Sequence, residues 1–289
     1  MLIKDIYNHL NNIAPFSYQE EWDNSGLLLG DMNADANRIL VTLDVTDEVV
    51  EQAIQAKADL IISHHPLIFS PVSKINSEDF ITRRILKLAN NNINYIAMHT
   101  NMDATGLSEV ADAILQIKRE RAIEVNINQN IQNAENLSKS GNENDEIVNI
   151  NRINPKIGMG SIGKFMNENG EEVDITLREA VIRTKKGFGL DIVKVYGDPD
   201  RIIRKVAVCT GAGKSMIEEC IKEKCDLLIT GDITYHAALD AHERDLCIID
   251  ATHFKTEIIF VDLVCGFFDM NFPQIKVIPS VQKEVGEYM

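Results

Sequence analysis

The chain has 289 residues, 45% of them apolar and 25% charged, with a formal net charge of −15. That apolar share can bury one large α/β core or two modest ones. The acidic balance argues against nucleic-acid binding, which needs clustered Lys and Arg, and it favours solubility and the binding of cations.

Taken in chain order, "MLIKDIYNHLNNI" has the spacing of an amphipathic helix and lacks the basic n-region and apolar h-region of a signal peptide. Strands are expected at "RILVTL" (38–43), "DLIIS" (59–63), "INYIAM" (93–98), "KVAVC" (205–209), "DLLIT" (226–230) and "LCIID" (246–250). Between them "DEVVEQAIQAKA", "FITRRILKLANN", "SMIEECIKEK" and "HAALDAHE" carry apolar residues at helical spacing. Such alternation predicts mainly parallel sheets covered by helices. Residues 125–156, rich in Asn, Ser and acids, read as a surface insertion or linker. Strand, helix and strand resume from "GMGSIGKF" to "DIVKVYG". The late apolar stretch "IIFVDLVCGFF" is interrupted by Asp262 and is too short to span a bilayer. Five cysteines without a C-x-x-C pair point to buried free thiols in a reducing compartment, and a cytoplasmic location is expected.

Residues 38–65 slide onto 205–232 without a gap. Identities fall at Val41/Val208, Glu51/Glu218, Ile54/Ile221, Lys57/Lys224, Asp59/Asp226, Leu60/Leu227 and Ile62/Ile229. The expectation is therefore two similar α/β lobes, 1–124 and 157–289, joined by the Asn-rich segment, although any two βαβ units share some pattern.

Ligands in such folds gather at the carboxyl ends of strands, and there this chain concentrates its histidines. His64 and His65 end the second strand. Side chains alternate along a strand, so neighbouring imidazoles are expected to reach different ions rather than chelate one. His99 and Asp103 follow the third strand, and a helix starting near Thr252 would set His253 and Glu257 on one face. Asp103 also serves as a turn residue, and the His253/Glu257 pair also reads as a surface ion pair. Glu257, with two oxygens, is the candidate bridging carboxylate. His99, Asp232, His236 and Asp44 are expected to orient ligands or carry protons, with an ordinary turn role preferred for Asp44. "GAGKS" (211–215) resembles a P-loop ending but has Val208 where the motif needs Gly, leaving an anion-friendly turn at best.

The blocks "EEWDNSGLLLG" (20–30), "SHHPLIF", "HTNMDA", "GDPDRIIRKVAVCTGAG", "TGDITYHAALDA" and "DATHFKTE" stand in one order across nearly the whole chain outside 119–156. Together they resemble the NIF-three-like family, whose members are often labelled GTP cyclohydrolase I type 2 homologues. The resemblance implies a dinuclear site at His64, His65, Asp103, His253 and Glu257, two divalent ions per chain and a homohexameric ring. His with carboxylate suits Zn, Fe, Mn or Ni alike. The chain departs from the family pattern at Ser108-Glu109 and lacks the large inserted domain of longer members. The expected activity is metal-dependent hydrolysis of a small, nucleotide-like substrate; the alternative is a metal carrier or assembly protein without turnover. Neither nucleic acid nor membrane is an expected partner.

Overall fold

A computed structural model describes residues 1–125 and 154–286. The expected Asn-rich insertion lies, from 126 to 153, outside the described residues. Two compact units result, Met1–Met102 with Glu257–Met289, and Asp103–Thr256. This differs from the contiguous split expected from sequence. The chain leaves the first unit after Met102 and re-enters it at Glu257 because a last strand returns to the first sheet.

The first unit holds a five-stranded sheet. Its strands are β1 (Gly26–Leu29), β2 (Arg38–Thr42), β3 (Leu60–Ser63), β4 (Asn94–Ala97) and β15 (Lys276–Pro279), in the order β1-β4-β3-β2-β15. All pairs are parallel except β1 with β4. Every residue of β3 and β4 is buried, which is why neither shows the polar–apolar alternation of a half-exposed strand. Helices Asp47–Ala56 and Phe80–Asn90 are started by side chains that accept a backbone N–H, Thr46 from Val49 and Asp79 from Thr82. They bury Val49, Val50, Ala53, Ile85 and Leu88 against Leu40, Ile61 and Tyr95. A further helix, Ile259–Asn271, packs on β15 and β2.

The second unit holds six strands: β5 (Ile117–Arg121), β8 (Ser161–Phe165), β10 (Lys194–Tyr196), β12 (Val206–Ala212), β13 (Leu227–Gly231) and β14 (Cys247–Asp250). Their order is β10-β14-β13-β12-β8-β5. Only β12, β13 and β14 run parallel; β10, β8 and β5 are antiparallel to their neighbours. The mainly parallel expectation thus describes the first unit and the centre of the second. Two small pairs complete the described strands, β6 (Glu124–Val125) with β7 (Gly158–Met159) and β9 (Ile175–Thr176) with β11 (Ile202–Ile203). All five cysteines are free and only Cys265 is partly exposed.

The sequence repeat is a repeat of structure. Ile39 pairs with Leu60 across β2 and β3, and Val206 pairs with Leu227 across β12 and β13, the same register 167 positions apart. Lys57 and Lys224, both with positive φ, close the intervening helical segments. Asp59 Oδ2 accepts the N–H groups of Asn37 and Arg38, while Asp226 Oδ2 accepts those of Arg204 and Lys205. One carboxylate therefore starts the first strand of each βαβ unit, which explains why Asp is shared where most of the surface has diverged. The GAGKS turn leads into a helix of only six residues, Ile217–Lys222. Gly213 is there for packing, since a Cβ would lie 2.2 Å from Thr230 Oγ1.

Each carboxylate makes two charge-assisted bonds of the kind that contribute about 1.5–3 kcal/mol. Asp59→Ala and Asp226→Ala should each lower unfolding free energy by roughly that amount, read from urea midpoints at unchanged m-value. An unchanged midpoint in both variants would contradict the shared-lock reading.

Candidate metal centre

The strand ladder ends at Ser63, and the chain turns there. Ser63 Oγ and Tyr95 Oη both donate to the His65 carbonyl, and Leu67 N–H donates to Tyr95 Oη. Consecutive amides of His64 and His65 bond to consecutive carbonyls, Thr42 and Leu43, which a parallel ladder cannot do. The alternation that would split the two imidazoles therefore no longer applies. Their ring centroids lie 5.0 Å apart, and both meet Glu257: His64 Nε2 is 3.8 Å from Oε1 and His65 Nε2 is 2.9 Å from Oε2. Each imidazole thus meets a different oxygen of the one carboxylate.

His99, expected to orient others, has its own ring in the cluster, 5.2 Å from that of His64 and 5.6 Å from that of His65. One nitrogen of each of the three imidazoles lies within 4.8 Å of the others. Every one of these rings is held by its Nδ1. His64 Nδ1 donates to the Met98 carbonyl at 2.8 Å, a pure acceptor, so the neutral ring carries its lone pair on Nε2. His65 Nδ1 is 2.8 Å from Asp44 Oδ1, and His99 Nδ1 is 2.8 Å from Asp23 Oδ1. Asp44 is thus a partner of His65 and not an ordinary turn residue.

Asp23 stands within the block EEWDNSGLLLG, where no local pattern marks it as a partner of a histidine. Its buried carboxylate also accepts from the backbone N–H of Asn24 and Thr100 and from the hydroxyl of Ser25. Burial opposes its ionisation, but His99 and these donors outweigh it and hold its pKa far below the usual carboxylate value. Burial likewise opposes the charge on His65, yet the hydrogen bonds to Asp44 and Glu257 push its pKa up to about 10. In the metal-free protein His65 is therefore an imidazolium at neutral pH. A cation taking its Nε2 position has to displace that proton.

In the second unit His253 repeats the pattern, its Nδ1 lying 2.8 Å from Asp232 Oδ2. Asp232 stands just past β13 with φ of 56°. Gly231 lets the backbone of Thr252 and His253 come close, since a Cβ would lie 2.5 Å from His253 N. His253 and Glu257 stand at the two ends of one short helix, His253–Glu257, at the expected spacing of four. Asp103 is buried at the start of the π-helical turn Asp103–Leu107. His236 is exposed beside Tyr235 and belongs to none of the converging groups found among the described residues.

The donor set fits a divalent transition metal: imidazole nitrogens with fixed tautomers, and a carboxylate that offers one oxygen to each of two rings. Asp44 orients His65 from behind, so Asp44→Asn should weaken metal binding roughly 10- to 100-fold, measured by chelator competition. Affinity unchanged in that variant would remove His65 from the ligand set.

The model of the Duf34/NIF3 (NGG1p interacting factor 3) family matches residues 1–284. A protein of Clostridium acetobutylicum named "GTP cyclohydrolase 1 type 2 homolog" is 32% identical over 255 residues, covering 88% of this chain and 85% of its own. One of Helicobacter pylori strain J99, named "GTP cyclohydrolase 1 type 2", is 32% identical over 259 residues, with 89% and 87% covered. The crystal structure of Staphylococcus aureus protein SA1388 is 27% identical with a TM-score of 0.80, covering 100% of this chain and 99% of that one. With the fold, the signature blocks and the histidine cluster in agreement with that match, the chain belongs to the Duf34/NIF3 family.

Proposed function

We propose that this protein is a metal-dependent hydrolase of a nucleotide-like small molecule, with divalent metal held at His64, His65 and Glu257. The observation that carries the reading is the common anchoring of the imidazoles through Nδ1, which leaves Nε2 for the site. A count of two ions, and Asp103 and His253 as further ligands, follow the family resemblance together with the adjacency of His64 and His65, the strand-end place of Asp103 and the four-residue spacing of His253 and Glu257. The homohexameric ring follows the family resemblance, and the cytoplasmic location follows the cysteine usage. Among the described residues no helix is long and apolar enough to cross a membrane.

A divalent ion bound there would supply Lewis acidity and lower the pKa of a nearby water. The chain's own groups then divide the remaining work. Asp44 keeps His65 in position, and the Met98 carbonyl fixes the tautomer of His64. His99 on the buried Asp23 has the build of a general base: the carboxylate holds Nδ1–H and stabilises the imidazolium formed when Nε2 takes a proton. The names of the relatives guide the substrate class, since both reported ones refer to GTP cyclohydrolase.

Metal-loaded protein should turn over at least one member of a panel of nucleotides and phosphoesters. Asp23→Asn should then lower kcat on the order of 10²- to 10⁴-fold while metal content per chain stays unchanged. Full metal loading with no turnover across the panel would favour a carrier or assembly role instead.

A further inference from the structure

The block that supplies Asp23 also supplies Trp22, the chain's single tryptophan, and the proposed chemistry leaves it unused. Trp22 is 59% exposed and Phe69 is 50% exposed, and their ring centroids lie 6.1 Å apart. Both rings approach His99, Trp22 at 6.1 Å and Phe69 at 6.4 Å, each nearly perpendicular to it. Large aromatic rings left open to water beside a cluster of imidazoles are unusual, because burying them would be favourable.

Their positions are fixed by the backbone around them. Asn24 donates to the Ile68 carbonyl at 2.5 Å, tying the Trp22 segment to the residue before Phe69. Ser25 Oγ accepts the His99 N–H, Asp23 holds the His99 ring, and Glu20 N–H donates to Thr100 Oγ1. Four successive residues, Trp22 to Ser25, thus set the two exposed rings at a fixed distance from His99. Phe69 also lines a cavity of about 480 Å³ with Leu67, Ser70, Ser73 and Asn76, polar enough to take a sugar. Lys74 is the one cation of that lining and shares it with Glu78 and Asp79, so the cavity does not select a polyphosphate. Recognition falls to the rings.

We infer that Trp22 and Phe69 form the stacking platform for the substrate, which selects a flat heteroaromatic ring and holds it beside His99. This rests on the hydrolase reading for its location but predicts binding, which can be measured without turnover. Base–aromatic stacking is strong enough that losing one ring should weaken binding roughly 5- to 100-fold. Trp22 also provides the signal, since no other indole contributes to the emission.

Full-length metal-loaded protein is titrated with guanosine monophosphate, and separately with ribose 5-phosphate, while Trp22 fluorescence is followed under red-edge excitation. The nucleotide should quench the emission with saturation and the ribose phosphate should not. Phe69→Ala should weaken the nucleotide response by the factor given above, and Trp22→Ala should weaken binding similarly by calorimetry. Both side chains are half exposed or more, so the variants should fold; matching circular dichroism checks this. Equal affinity for both ligands, or unchanged affinity in both variants, overturns the platform. So does an emission already at the buried position and unmoved by nucleotide, which would mean that a second copy of the chain covers Trp22. Turnover that persists in Trp22→Ala with unchanged KM refutes the platform alone. Saturable quenching without any turnover leaves the platform standing and refutes the hydrolase reading.

Discussion

The site depends on one repeated interaction, an imidazole Nδ1 held by a fixed acceptor. Asp44, Asp23 and the Met98 carbonyl do this within the first unit. The second unit holds His253 on Asp232 in the same way. A histidine free to rotate offers either nitrogen in many directions, whereas an anchored one presents a single lone pair in a single direction. Fixing the tautomer removes much of the reorganisation that ligand binding would otherwise require.

The anchors also settle the charge balance. Asp23 is a buried carboxylate kept ionised by its donors, and Glu257 is buried beside two imidazoles. Without a metal, the proton on His65 supplies the compensating positive charge between Asp44 and Glu257. A divalent cation held by His64, His65 and Glu257 would supply that positive charge in its place. The acidic balance of the whole chain is in keeping with this local demand for a cation.

Much of this was legible in the sequence. The βαβ segments declared themselves because their strands are buried on both faces, and the repeat survived because Asp59 and Asp226 do the same backbone job twice. The histidine pair stood out as a candidate through its place at a strand end. What escaped was long-range or chemically disguised. β5, "IKRER", carries the charges of a half-exposed edge strand and reads as surface. β15 reveals its return to β2 only in three dimensions, so the wrapped division of the chain could not be read locally. Asp23 finds His99 across 76 positions and Asp44 finds His65 across 21, spacings that follow no helical or strand period. His64 and His65 lie just past the strand end, as the sequence suggests, but their meeting with Glu257, 192 positions away, follows no local spacing.

The most direct test is an anomalous difference map at the metal edge from crystals of the metal-loaded protein. Density is expected bonded to the Nε2 atoms of His64 and His65 and to a Glu257 oxygen, with Asp44 and the Met98 carbonyl still on the Nδ1 atoms. Metal bonded to either Nδ1, or no ordered density at these side chains at full loading, would contradict that ligand set.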